Sequence, residues 1–223
     1  MTILCIETST SVCSAAICKD GAPIKQCICL EGSNHARLLP RYIEELLSFA
    51  REQALSIEAV ALSEGPGSYT GLRIGTSTAK GLCYGLNVPL LPVPTLEVLK
   101  RASGVKEGIL IPMIDARRME VYTSINGETK AVVVENEESL YAGDEDVYYF
   151  GDGAEKCSRI FTKSNWHYVP GIVPEAKYVG ALAEQITNHQ SPITNAKSVD
   201  LAYYEPFYLK EFIAAQSHVK GLK

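Results

Sequence analysis

EGPGSYTGLRIG, residues 64–75, is the stretch that decides how this chain folds. Gly65, Gly67, Gly71 and Gly75 are spaced so that the backbone can turn sharply and lie close to something, because glycine reaches conformations closed to other residues. Pro66 stiffens the bend, and Ser68 or Thr70 has the side chain to cap a following helix. Before it, IEAVAL at 57–62 reads as a short apolar strand; after it, LRIGTSTAKGLCYGL at 72–86 reads as a helix. The segment is thus a glycine-rich turn from strand into helix. Such a turn either cradles an anion on helix N-terminal amides or lets helix and sheet touch. Spacing leaves both uses open. Lys80-Gly81 lies inside the helical pattern, so no Walker A loop is present, and a G-x-G-x-x-G reading fails at Thr70.

Working outward, residues 2–7, 12–18 and 23–30 read as three strands, joined by the hydroxyl-rich TSTS at 8–11 and by Lys19-Asp20-Gly21, a tight-turn signal. HARLLPRYIEELLSFAREQ at 35–53 repeats its apolar residues every 3.6 positions and predicts an amphipathic helix, with Pro40 in its first turns where it costs least. VPLLPVP at 88–94 is a strand, and 95–103 a helix with Thr95 as its expected N-cap. The order β-β-β-α-β-α-β-α implies an antiparallel meander extended by parallel crossovers, a ribonuclease H-like mixed sheet. The second half echoes this in element order only: strands at 108–118, 119–126 and 130–135 with an Asn126-Gly127 turn, then strand, glycine turn and helix over 146–161, and a helix at 177–189. Two α/β lobes follow. The first is expected over 1–104, joined by the C-terminal segment 200–223, and the smaller second lobe over 105–199.

The composition narrows the function. Of 223 residues, 46% are hydrophobic, enough for a core, and the net charge of -5 disfavours autonomous nucleic-acid binding. No apolar run approaches the ~18 residues of a membrane span, and the N-terminus lacks the basic flank of a signal peptide. The odd count of seven cysteines, mostly within strand-like runs, argues for buried thiols in a reducing cytosol rather than a disulfide framework. Cys27 and Cys29 share a strand face.

Candidate chemistry is sparse. Glu7 and Asp115 each end the first strand of a half, suiting either magnesium-nucleotide contacts or strand-end carboxylates that meet solvent or a helix N-terminus. Arg117 and Arg118 suit phosphate or a solvated ion pair, and Gly151-Asp152-Gly153 has the shape of a phosphate turn. The histidines, His35, His167, His189 and His218, are scattered, and one imidazole does not make a metal site. The helix at 72–86 carries interior glycines at 81 and 85, each costing ~1 kcal/mol relative to alanine, so it should gain from close approach of another backbone.

ILCIETST at 3–10, SNHARLLP at 33–40, SEGPGSYTGLRIGTSTAKGL at 63–82, PMIDARRMEVY at 112–122 and EPFYLK at 205–210 together resemble the bacterial TsaB (YeaZ) family, in order along nearly the whole chain. The resemblance implies an actin/Hsp70-like (ASKHA) fold of two ribonuclease H-like lobes. It implies a non-catalytic subunit required to make N6-threonylcarbamoyladenosine beside the anticodon of tRNAs reading codons that begin with A. The implied partners are the catalytic subunit TsaD and the ATPase TsaE, with a homodimer when alone, tRNA met only through the complex, no membrane, and a cytoplasmic location. No cofactor is implied for the chain alone, but ATP or ADP with magnesium at the complex interface. In the family the first two helices of the first lobe carry the interface; these match 35–53 and 72–86, placing Leu39, Tyr42, Leu46, Leu72, Thr76, Ala79 and Cys83 at the expected partner surface. TsaD-like proteins hold a metal with two histidines four apart on a helix; here His35 is followed at that spacing by Leu39. A metalloprotease needs convergent ligands such as H-E-x-x-H, which the sequence lacks, and a stand-alone actin-like ATPase or sugar kinase would share the fold without sharing the function.

Overall fold

The structure is a computed structural model describing residues 1–30, 32, 34–188 and 199–210. Ser33, His189, His218 and the tail 211–223, with its HVKGLK stretch, lie outside the described residues. Three antiparallel strands open the chain: β1 (Thr2–Glu7), β2 (Cys13–Lys19) and β3 (Ala22–Cys29). After α1 (His35–Glu52), the strands β4 (Ala59–Gly65) and β5 (Leu90–Pro94) add in parallel, giving the order β3-β2-β1-β4-β5. The helix α2 (Tyr69–Leu86) connects β4 to β5, and α3 (Thr95–Ser103) leaves β5.

The second sheet repeats this plan. Its strands are β6 (Ile109–Asp115), β7 (Glu120–Ile125), β8 (Glu128–Val133), β9 (Val147–Phe150) and β10 (Trp166–Tyr168), in the order β10-β9-β6-β7-β8. This is the first sheet's topology written again, so the echo in element order is a real duplication. A three-residue 3-10 turn at Glu137–Ser139 stands where the first lobe has α1, and the helix after β9 shrinks to α4 (Ala154–Cys157). Both hairpin signals form as expected: Asp20 and Gly21 at φ 51° and 77°, Asn126 and Gly127 at 51° and 81°.

Burial follows the periodicities. One face of the first sheet packs Leu4, Ile6, Ala15 and Ile17 against Leu39, Ile43 and Leu46 of α1 and Ala79 and Cys83 of α2. The other face packs under α5 (Ala176–Thr187), through Val179, Leu182, Ala183 and Ile186. The division at 104/105 is corrected here: α5, counted with the second lobe, covers the first sheet. Its apolar stripe finds Ile3, Cys5, Ala16 and Cys18 there, and the Ser14 hydroxyl accepts the Ala176 N–H at 2.9 Å. Nor does α3 belong to one lobe. Val98 joins the first sheet's core, while Leu96 and Leu99 pack on Ile114 and Phe150 of the second. Residues 199–204 return to the first lobe, where Val199, Leu201 and Tyr204 pack beside its core.

Glycines in α2 divide by environment, which gives a test. A Cβ on Gly71 would stand 2.0 Å from the Thr8 carbonyl oxygen, whereas one on Gly81 would meet nothing within 4 Å. Gly71→Ala is expected to destabilise by about 2 kcal/mol or more, as overpacking does. Gly81→Ala should stabilise by roughly 0.5–1 kcal/mol, through helix propensity. Urea unfolding of the two variants decides it, and equal effects would contradict the packing.

Candidate functional site

The glycine turn lies directly on the turn that follows β1. The Thr8 hydroxyl donates to the Gly71 carbonyl at 2.8 Å, and the Ser68 N–H donates to the Ser9 carbonyl at 2.6 Å. A Cβ on Gly67 would fall 2.3 Å from the Ser9 carbonyl oxygen, and one on Gly75 2.3 Å from the Thr8 hydroxyl. Gly65, at φ 119°, lies against the C-terminal segment: its missing Cβ would sit 2.4 Å from the Phe207 carbonyl oxygen, and the Phe207 N–H donates to Glu64 O at 2.8 Å. Ser68 caps α2 by accepting the Gly71 N–H. Thr95 does not cap α3 as expected. Pro94 takes the cap position, and the Thr95 hydroxyl instead accepts the Gly65 N–H at 3.1 Å. The helix start is thus tied into the glycine turn.

Gly151-Asp152-Gly153 is the same device in the second lobe. Gly151, at φ 103°, would place a Cβ 2.2 Å from Met113 O, and Gly153 one 2.9 Å from the Ile114 carbonyl carbon. The first turn presses on the residues just after β1, and the second on β6 itself.

The strand-end carboxylates differ. Glu7 is fully buried. Its carboxylate accepts the Ser9 N–H at 2.6 Å, the Ser9 hydroxyl at 2.5 Å, and the Ser63 hydroxyl. Asp115 is exposed, pairs with Lys156, and accepts the Arg117 N–H at 3.1 Å, while its own N–H donates to Asp152 Oδ1 at 2.9 Å. Arg117 and Arg118 are both exposed and adopt positive φ in the β6–β7 turn. On the Cβ side both glycine turns are packed by the chain's own backbone, and the Glu7 oxygens are engaged by Ser9 and Ser63.

His35 begins α1, buried, with Nε2 3.1 Å from the carbonyl oxygen of Val12, so it ties the helix start to the residue just before β2. Leu39, one turn on, is in the core. His167 meets Asp146 at 3.0 Å in the second lobe, far along the chain from His35. Among the described residues, no group of three or more His, Cys, Asp or Glu is placed to hold a metal ion.

The expected partner residues need correcting. Leu39, Leu46, Leu72, Thr76, Ala79 and Cys83 are all buried within the first lobe, and only Tyr42 is half-exposed, on the flank of α1. The apolar periodicity marked the faces turned to the sheet. The outward face of α2 carries Arg73, Ser77, Gly81, Tyr84, Gly85 and Leu86, with Tyr84 85% exposed. A second surface that sequence reasoning missed is a groove of about 320 Å³ between α2 and residues 204–208. Tyr69 and Tyr208 pack there with ring centroids 5.0 Å apart, and Lys80 Nζ donates to the Ala202 and Tyr204 carbonyls at 3.1 Å. The EPFYLK motif signalled the segment, but not its seat against α2.

Two mixed sheets of matching topology, each ending its fourth strand in a glycine turn, define an actin-like (ASKHA) two-lobed α/β protein. A family model described as "TsaD: tRNA N6-adenosine threonylcarbamoyltransferase" matches residues 30–144, just over half of the chain. The tRNA threonylcarbamoyladenosine biosynthesis protein TsaB of Bacillus subtilis is 35% identical over 138 residues, a match spanning 60% of each chain. That of Escherichia coli is 27% identical over 224 residues, 96% of each. YeaZ from Pseudomonas aeruginosa superposes with a TM-score of 0.70 at 24% identity, over 93% of this chain and 99% of that one. The chain therefore belongs to the family this model describes, and within it to the TsaB (YeaZ) proteins. Among the described residues, no helix is long and apolar enough to cross a membrane.

Burial holds the Glu7 carboxyl above its ordinary 4.5, against the hydrogen bonds of Ser63 and Ser9 and with a further push from Asp152. A carboxyl harder to ionise when folded holds its proton more tightly in the native state. Its contribution to stability is complete below pH 4.5 and is lost as pH rises through the folded value. Glu7→Gln should remove this loss, so the stability of the variant minus that of the wild type should increase as pH rises above 4.5. Denaturant unfolding across that range tests this, and a pH-independent difference would contradict it.

Proposed function

We propose that this chain is a non-catalytic subunit needed for N6-threonylcarbamoyladenosine formation beside the anticodon of tRNAs reading codons that begin with A. It acts by binding and activating a TsaD-like catalytic subunit together with a TsaE-like ATPase. The observation that carries this reading is the state of the position where a TsaD-like protein would begin its metal site. The His35 imidazole is turned inward to Val12, and the residue four positions on is the core leucine Leu39. The packed glycine turns support the same reading, since they work as joints of the fold. Nucleotide with magnesium would then enter at the complex interface, and tRNA would be met through the complex, in the cytoplasm.

The outer face of α1 and α2 is the proposed docking surface, for TsaD or, in its absence, for a second copy of the chain. Tyr84 and Leu86 are exposed apolar residues beside Gly81 and Gly85, whose Cβ positions are open, and Leu38, Tyr42, Ile74 and Leu82 are half-buried on the same two helices. Interior helix glycines that touch nothing in their own chain cost helix stability, and a closely approaching partner helix offsets that cost.

Size-exclusion chromatography with the cognate TsaD-like protein tests the placement. Gly85→Trp is expected to lower association at least tenfold while the lobe stays folded. Ala79→Leu, inside the core, is expected to destabilise the lobe itself by about 1–3 kcal/mol. Undiminished binding by a folded Gly85→Trp chain would refute the surface.

A further inference from the structure

We propose that Cys13 and Cys29 form an oxidisable dithiol, which a peroxide converts to a disulfide tying the end of the edge strand β3 to β2. The pairing rests on register. Strands β2 and β3 are antiparallel, with Cys13 directly opposite Cys29 and Ala15 opposite Cys27. Directly opposed residues have Cα atoms about 4.5–5.5 Å apart, inside the about 4.4–6.8 Å that a disulfide spans. Cys13, Ala15 and Cys27 face the core beneath α1, and Cys29, two residues beyond Cys27, shares that face. Cys27 is only the diagonal neighbour of Cys13, which is a longer reach. Cys29 is the last residue of β3, which lies at the sheet edge.

Access sets the order of events. Cys13 is fully buried, and its thiol is pushed up to about 11, by burial first and by the neighbouring Cys29 second. Cys29 is partly exposed. The Cys29 sulfur attacks a peroxide oxygen, the O–O bond breaks, and a sulfenic acid forms with release of water. The Cys13 thiol then attacks that sulfur, its proton leaves with the hydroxyl as a second water, and the S–S bond forms. One peroxide is reduced and two thiols are oxidised. The other close pair has no such access. Cys5 and Cys18 are fully buried under α5, where a Cβ on Gly180 would stand 2.3 Å from the Cys18 sulfur.

The test treats the reduced full chain with hydrogen peroxide, quenches, denatures in an alkylating agent and digests with trypsin without reduction. The expected result is a linked pair of peptides 1–19 and 26–37, with two fewer reactive thiols than the seven of the reduced chain. Dithiothreitol should reverse it. Fragmentation of the linked pair assigns the sulfurs in the wild type. Cys29→Ser should abolish the link and Cys27→Ser retain it, with circular dichroism confirming that each variant is folded. A thiol count that stays at seven, Cys29 oxidised without a link, or a link assigned to Cys5, Cys18 or Cys27 would each overturn the proposal.

Discussion

The glycine turn rests on Thr8 and Ser9 at positions with no room for a Cβ, and much of the first lobe depends on that contact. It fixes where α2 starts, because Ser68 both caps the helix and donates its N–H to Ser9. It brings Ser63 beside Glu7, so a carboxylate at the end of β1 is buried with hydroxyl partners. It leaves Gly65 open to the Phe207 carbonyl, which seats the returning C-terminal segment. Thr95 reaches the same turn from α3. One constraint, that no Cβ fits at these positions, therefore orders a helix start, a buried acid and two distant segments.

The sequence was most informative where chemistry is local. Asp20-Gly21 and Asn126-Gly127 turn as their residue types require, and 3.6-residue periodicity located α1. It was least informative about which surface covers which. The apolar stripe with Leu39, Leu46 and Ala79 was legible as a stripe, but periodicity does not say whether a sheet or a partner covers it; the sheet does. For the same reason α5 was placed with the wrong lobe, since an amphipathic helix fits either sheet. Strand β10 was missed because three residues, Trp166–Tyr168, are too few to show alternation. At the candidate site, the glycine spacing was visible but its occupant was not. That occupant is the carbonyls of Thr8 and Ser9, and backbone atoms leave no compositional signal.

The duplication is unequal, and the inequality bears on function. Both sheets keep strand order and glycine turn, yet the second lobe reduces α1 to a 3-10 turn and the helix after β9 to four residues. Among the described residues, only the first lobe presents two long connecting helices, α1 and α2. The α3 helix, with Val98 in one core and Leu96 and Leu99 in the other, couples the lobes through packing.

Hydrogen–deuterium exchange of the full chain, with and without its TsaD-like partner, tests the central claim that this protein works through a helical face while its glycine turn is a joint. New protection is expected in α1 and in the outer half of α2, residues 77–86, with exchange at 64–71 unchanged. Protection confined to the glycine turn and the strand ends of Glu7 and Asp115 would contradict it.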